Sequence, residues 1–156
     1  MPLKPGDKAP DFTLLDQNGE PFSLSASLKA RKAAHLIYFY PKANTPGCTQ
    51  QTCLLNDIRE QVGETTIVGI SPDSPKAQLN FATKYSIGFG LLSDPDHAVA
   101  EAFEVGKEKK NYGKTYMGIE RSAFLVGPDG KVRQAWYKIS PKDTPVKLLE
   151  ALRAAA

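Results

Sequence analysis

Residues 33–62 read AAHLIYFYPKANTPGCTQQTCLLNDIREQV, a stretch that divides into a strand pattern and a helix pattern. Its first part, residues 33–40, is a continuous apolar run without alternation, which is typical of a strand covered on both faces. Beyond residue 48 the apolar side chains fall on one helical stripe, formed by Leu54, Leu55, Ile58 and Val62. Residues 65–71 then repeat the strand pattern. Strand, helix and strand in this order predict a parallel crossover.

The flanking segments add further elements around this crossover. Turn residues at 18–19 and 127–130 predict two hairpins, one between residues 11–15 and 21–24 and one between residues 122–126 and 131–137. Proline and N-cap signals predict three more helices, over residues 74–84, over residues 94–103 and from Thr144 onwards. Residues 91–92 are expected to form a short strand. We predict an α/β fold in which one domain, residues 1–156, has a central mixed sheet with helices on both faces.

The composition is that of an ordinary globular protein. Of the 156 residues, 41% are hydrophobic and 24% charged, which argues against disorder and against a fibrous architecture. The net charge of +3 is spread along the chain, and we interpret its one dense basic stretch, residues 107–114, as a solvated loop rather than a nucleic-acid site. The N-terminus lacks the apolar core of a secretion signal, and residues 33–40 are too few to cross a membrane. We therefore expect a cytoplasmic protein without nucleic-acid or membrane partners.

Cys48 follows the end of the predicted central strand, where the catalytic sites of open α/β sheets tend to lie. Thr45 is a good N-cap residue and Pro46 a good first helical residue, so Cys48 is expected in the first turn of a helix. Unpaired backbone amides and the helix dipole favour an anion there, and we expect a reactive thiolate that a nearby cation helps to hold. The alternative is that Cys48 and Cys53 are small buried hydrophobes.

Other cysteine chemistries fit the sequence less well. Two cysteines in a reducing compartment favour redox chemistry or burial over a structural disulfide framework. His35 and His97 show no zinc-ligand spacing, and four residues separate the two cysteines where a typical dithiol oxidoreductase has two. Residues five apart on a helix are roughly 8.5–9 Å apart between Cα atoms, whereas a disulfide tolerates about 7 Å. If the two cysteines bond, the helix must unwind.

The pattern Pro41-x-x-x-Thr45-x-x-Cys48 matches the active-site signature of the peroxiredoxins. The chain resembles their Q type, also called the bacterioferritin comigratory protein family. The similarity runs through nearly the whole chain, including residues 6–12, 38–42, 69–71, 92–94, 113–116 and 121–126. It implies a thioredoxin-like fold with an N-terminal β-hairpin extension.

The resemblance also implies roles for the site residues. Cys48 is then the peroxidatic cysteine, and Cys53 is the resolving cysteine, as in members with a second cysteine five residues later. Thr45 is expected to hydrogen-bond the sulfur and the peroxide. Arg121 is expected to supply the cation, since a guanidinium is always charged and offers several donors. Pro41 is expected to shield the thiolate.

The resemblance implies a peroxidase that reduces hydrogen peroxide and organic hydroperoxides. Cys48 becomes a sulfenic acid, Cys53 converts it to an intramolecular disulfide, and thioredoxin or a glutaredoxin reduces that disulfide. No metal, flavin or haem is implied, and the type is expected to be monomeric. Many members carry Glu after the peroxidatic cysteine, whereas this chain has Gln50 and Gln51. Two alternatives are a disulfide oxidoreductase of thioredoxin fold and a redox sensor that turns over little peroxide.

Overall fold

The structure, a computed structural model, describes residues 2–111 and 114–155. In these ranges the chain forms nine strands and five α-helices. In chain order they are β1 (Thr13–Leu15), β2 (Pro21–Ser23), α1 (Leu24–Arg31), β3 (His35–Phe39), α2 (Pro46–Asp57), β4 (Thr66–Ser71), α3 (Pro75–Tyr85), β5 (Gly90–Ser93), α4 (Ala98–Ala102), β6 (Gly106–Asn111), β7 (Lys114–Ile119), β8 (Ser122–Val126), β9 (Val132–Trp136) and α5 (Asp143–Ala155). A short 3-10 helix, Arg59–Gln61, follows α2.

A seven-stranded mixed sheet organises the molecule, in the order β2-β1-β5-β4-β3-β8-β9. The predicted parallel crossover is confirmed, because β3 pairs in parallel with β4 and α2 connects them. On its other side β3 pairs antiparallel with β8, so it is the central strand that its unbroken apolar run predicted. Both predicted hairpins are present, as β1–β2 and β8–β9.

The central strand contributes to two cores, one on each face of the sheet. Ile37 and Phe39 pack with residues of α1 and α4, whereas Leu36, Tyr38 and Tyr40 pack on the opposite face with residues of α2, α3 and α5. All five side chains are at most 1% exposed. The run shows no alternation because both faces of the strand are covered, as predicted.

The structure departs from the predicted elements in four places. The helix expected to run to Val62 is shorter, because α2 ends at Asp57 and leaves Ile58 and Val62 outside it. Residues from Leu24 onwards form a helix, α1, which was not predicted because only Leu24 and Leu28 of its eight residues are buried. Residues 106–111 and 114–119 pair as an antiparallel hairpin instead of forming a basic loop, although residues 112 and 113 of that stretch lie outside the described ranges. The helix predicted from residue 94 begins only at Ala98.

The late start of α4 has a local cause. His97 adopts a left-handed conformation, with φ of 64°, which keeps residues 95–97 out of the helix. The Asp94 carboxylate still acts as the expected cap, but from further away, and accepts hydrogen bonds from the backbone amides of Val99 and Ala100 at 3.2 and 2.9 Å. Within residues 2–111 and 114–155, no helix is long and apolar enough to span a membrane.

Candidate active site

The start of α2 places Cys48 beside the carboxyl end of β3. Pro46 is the first helical residue and Thr45 has the extended backbone of an N-cap, as predicted. Cys48 is therefore the third helical residue, in the turn whose amides have no partner within the helix. Its side chain is 0% exposed and belongs to the core on the α2 face of the sheet.

The Thr45 hydroxyl does not cap the helix. It donates a hydrogen bond to the carbonyl oxygen of Lys42 at 2.7 Å and thereby closes the turn that leads into α2, so the expected side-chain cap is wrong. A hydroxyl has a single proton. In this conformation that proton points to Lys42 and not to the sulfur of Cys48.

Arg121 reaches Cys48 across the sheet. Its Nη2 atom lies 3.4 Å from Cys48 Sγ, and it is the one side chain of the described ranges that hydrogen-bonds this sulfur. The register of the sheet explains the contact, because Ser122 pairs with Phe39 at the end of β3 and holds the preceding residue next to the start of α2. The two residues that the resemblance put into one site are thus brought together.

Gly47 makes the approach of the guanidinium possible. A Cβ atom on this residue would lie 3.1 Å from Arg121 Nη2, which is tighter than most contacts of a side-chain carbon. A larger residue would push the guanidinium away from Cys48. The glycine before the cysteine therefore serves the site by its lack of a side chain.

The other guanidinium nitrogen of Arg121 is held by Gln51. Nη1 donates to Gln51 Oε1 at 2.8 Å, and Gln51 Nε2 in turn donates to Thr144 Oγ1 at 2.9 Å. Gln51 and Thr144 are both 0% exposed. This role of Gln51 was not predicted, although its position three residues after Cys48, and hence on the same side of the helix, is the signal that points to it.

Cys53 lies further along the same helix as a free thiol, and so does Cys48. Burial, followed by the negative charge of Asp57, raises the pKa of the half-buried Cys53. At neutral pH this thiol is therefore protonated and a poor nucleophile while the helix is intact.

A half-buried hydrogen-bond network fixes the loop between β3 and α2. The backbone amide of Ala43 donates to Asp73 Oδ2 at 2.7 Å, and Ser71 Oγ donates to the same oxygen at 2.6 Å. Pro41 lies exposed on this loop. No group of three or more His, Cys, Asp or Glu side chains in the described residues is arranged to hold a metal ion.

The comparisons with known proteins agree on one family. The model of the AhpC/TSA family matches residues 5–135, most of the chain. The chain belongs to this family. Peroxiredoxin Bcp of Bacillus subtilis is 43% identical over 98% of this chain and 97% of its own length, and Peroxiredoxin Bcp of Escherichia coli K12 is 47% identical over 86% of each chain.

Solved structures of peroxiredoxins give the same result for the fold. The bacterioferritin comigratory protein of Xanthomonas campestris, whose trapped-intermediate and ligand complexes concern alkyl peroxide reduction, superposes with a TM-score of 0.85 at 38% identity over 92% of this chain and 91% of its own. A mutant of Xylella fastidiosa PrxQ superposes with a TM-score of 0.89 at 30% identity over 99% and 98%. The predicted thioredoxin-like fold and Q-type resemblance are confirmed.

The function class follows from this membership. This peroxiredoxin is a thiol-dependent peroxidase, an oxidoreductase that consumes a peroxide and a thiol reductant. The individual roles of Cys48, Cys53, Thr45, Arg121 and Pro41 stay predictions.

Proposed function

We propose that Cys48 is the peroxidatic cysteine of this peroxidase, and the observation that carries the proposal is the contact of 3.4 Å between its sulfur and Arg121 Nη2. A guanidinium stabilises an adjacent thiolate by charge and by a hydrogen bond. The first turn of α2 adds unpaired amides and the positive end of the helix dipole. The site therefore favours the form of cysteine that attacks peroxides.

In the first step the Cys48 sulfur attacks the terminal oxygen of the hydroperoxide. A sulfur–oxygen bond forms, the oxygen–oxygen bond breaks, and the leaving oxygen takes up a proton to depart as water or an alcohol. Arg121 and the Cys48 backbone amide are the donors that stabilise the charge on that oxygen. Thr45 joins them by turning its hydroxyl from Lys42 to the peroxide.

Access to the sulfur requires a small movement of the loop before α2. Cys48 is 0% exposed, whereas Pro41 is exposed and Thr45 is half-buried. The peroxide is proposed to enter as this loop moves. Once the loop returns, Pro41 is proposed to shield the sulfur from water, the role that the family resemblance gives it.

In the second step Cys53 attacks the sulfenic sulfur of Cys48, a disulfide forms and water leaves. The pKa of Cys53, raised by burial, keeps its thiol unreactive until the helix opens. Opening exposes Cys53 to water and removes this restraint. The order of the steps is thus set by the folding of α2.

An external dithiol completes the cycle by reducing the disulfide to two thiols while it is itself oxidised. Thioredoxin or a glutaredoxin is the proposed donor, and hydrogen peroxide and organic hydroperoxides are the substrates. The alkyl peroxide activity named for the Xanthomonas campestris relative supports the second substrate class. Because the disulfide forms within one chain, residues 1–156 are proposed to act as a single-domain monomer. Two free thiols that need a dithiol donor suit the reducing cytoplasm.

A steady-state assay tests this function. The reduced protein is supplied with hydrogen peroxide or cumene hydroperoxide, and either thioredoxin with its reductase or glutaredoxin with glutathione. We expect NADPH consumption that depends on the peroxide and disappears in Cys48→Ser. Turnover that survives in Cys48→Ser would overturn the proposal.

A further inference from the structure

A chain of hydrogen bonds connects the reactive sulfur with the last helix of the fold. Arg121 donates to Cys48 Sγ and to Gln51 Oε1, Gln51 Nε2 donates to Thr144 Oγ1 at 2.9 Å, and Thr144 Oγ1 donates to the carbonyl oxygen of Ser140 at 2.9 Å. Gln51 and Thr144 are 0% exposed, so water does not compete for the bond between them. This series of hydrogen bonds therefore links α2 to α5.

The chemistry of the groups allows only one donor-to-acceptor direction along this series of hydrogen bonds. A guanidinium has donors only and a carbonyl oxygen is an acceptor only, so both ends of the chain are fixed. The Thr144 proton must go to Ser140, which leaves the Thr144 oxygen free to accept. Gln51 must then present its NH₂ group to Thr144 and its oxygen to Arg121. A flipped amide would set donor against donor at Arg121 and leave both ends unsatisfied.

We propose that Thr144 is a positioning residue of the peroxidase reaction: it fixes the orientation of the Gln51 amide, which holds Arg121 at the sulfur of Cys48. The inference rests on the proposed function, in which Arg121 stabilises the Cys48 thiolate and the leaving oxygen. Gln51 anchors Arg121 without a negative charge, so the guanidinium keeps its full charge for the sulfur. The hydrogen bond to Thr144 orients the amide that holds Arg121, whereas a carboxylate at this position would attract Arg121 by its charge.

The test replaces the hydroxyl of Thr144 and keeps its shape. Thr144→Val lacks the acceptor oxygen, and Thr144→Ser retains it. Thr52→Val is the matched control, because it removes a buried hydroxyl of α2 that hydrogen-bonds Tyr38 at 2.8 Å and takes no part in the hydrogen bonds to Arg121. The second-order rate constant for hydrogen peroxide is measured by stopped-flow fluorescence. Thr144→Val should lower it about fivefold, the effect of losing one ordinary hydrogen bond, whereas Thr144→Ser and Thr52→Val should stay within about twofold of wild type.

A second readout separates positioning from general damage. In the Cys53→Ser background, the rate of Cys48 alkylation by iodoacetamide at neutral pH should fall in Thr144→Val and recover in Thr144→Ser. Far-UV circular dichroism and thermal melting check the fold, and Thr144→Ala replaces Thr144→Val if the valine does not fold. Unchanged rates of peroxide reduction and of alkylation in a folded Thr144→Val or Thr144→Ala variant would overturn the inference, as would a Thr144→Ser variant as slow as Thr144→Val.

A double-mutant cycle tests the route through Gln51. In Gln51→Met there is no amide to orient, so adding Thr144→Val should not slow the reaction further; a full additional fivefold loss would contradict the route. Arg121→Met separates the role of Arg121 from that of Thr144. If it does not slow peroxide reduction, the proposed function of Arg121 fails; if it does and Thr144→Val does not, only the role of Thr144 fails.

Discussion

Cys48 and Cys53 lie five residues apart on one uninterrupted helix, and both are free thiols. Ideal helix geometry separates their Cα atoms by roughly 8.5–9 Å, beyond the limit of about 7 Å for a disulfide. The described structure is thus the reduced, folded form of the site. The proposed disulfide requires that the first turns of α2 open.

Amide hydrogen exchange on the reduced and disulfide forms should report this opening. Protection is expected to fall on oxidation over residues 45–54 and to persist from Leu55, which is 0% exposed and anchors the later turns. Cys53→Ser treated with one equivalent of peroxide is the control, because it forms the sulfenic acid without the disulfide and should keep the reduced pattern. Equal protection of the helix in both wild-type forms would contradict the opening.

Replacement of Arg121 should slow the first chemical step. Arg121→Met removes the guanidinium from its position 3.4 Å from the Cys48 sulfur, and the rate constant for peroxide should fall about 100-fold, as for the loss of one preorganised donor. Arg121→Lys keeps the charge but cannot hold both Cys48 and Gln51, so we expect an intermediate rate. Stopped-flow kinetics under single-turnover conditions measure both. A wild-type rate in Arg121→Met would rule out its proposed role.

The reactivity of the Cys53 thiol should depend on the negative charge of Asp57 at the end of α2. Burial, and after it the carboxylate of Asp57, raises the pKa of Cys53. In the Cys48→Ser background, Asp57→Asn should therefore accelerate alkylation of Cys53 at neutral pH about twofold, the usual scale of a partly exposed charge pair on a helix. Asp57→Glu, which keeps the charge, should leave the rate unchanged. No acceleration in Asp57→Asn would show that burial alone holds the thiol protonated.

The stability of the fold should depend on pH through His35. Burial lowers the pKa of this residue, whose Nδ1 atom donates to the Ala33 carbonyl at 3.0 Å and whose Nε2 atom accepts from the Ser27 hydroxyl at 2.6 Å. The unfolded chain binds the proton more tightly, so the free energy of unfolding should fall as the pH drops from about 6.5 towards the folded pKa and then level off.

Denaturant titrations of His35→Gln test this dependence. The variant should lose the part of the pH slope that wild type shows below about pH 6.5. His97→Gln, at a half-buried position outside the sheet, is the comparison variant, because it removes the other histidine of the sequence. An identical slope in His35→Gln and wild type would contradict the assignment.

Local sequence patterns predicted the elements whose burial or end signals are written in neighbouring residues. The run that became β3 is apolar because both of its faces are covered, and Pro46 after Thr45 marks the start of α2. The helix α1 escaped prediction because its sequence LSASLKAR buries only two side chains. The Thr45 hydroxyl was misassigned because a competing acceptor, the Lys42 carbonyl, lies within the same turn.

The site was predictable only in part, because several of its contacts join residues that are distant in the sequence. Cys48 and Thr45 share one short motif, but Arg121 lies 73 residues from Cys48, and only the family resemblance connected the two. Gln51 and Thr144 are 93 residues apart. Their contact depends on how α5 packs against α2, and a polar residue destined for the interior looks in sequence like one destined for the surface.

A single-turnover experiment with mass spectrometry tests whether Cys48 reacts with the peroxide first and is then linked to Cys53. Reduced wild-type protein receives one equivalent of hydrogen peroxide and is digested without reductant, in parallel with Cys48→Ser and Cys53→Ser. We predict that wild type loses two hydrogen atoms and links Cys48 to Cys53 within one chain, that Cys53→Ser stops at a dimedone-reactive Cys48, and that Cys48→Ser leaves the peroxide unconsumed. Rapid peroxide consumption by Cys48→Ser, or a wild-type disulfide that joins two chains, would contradict the account.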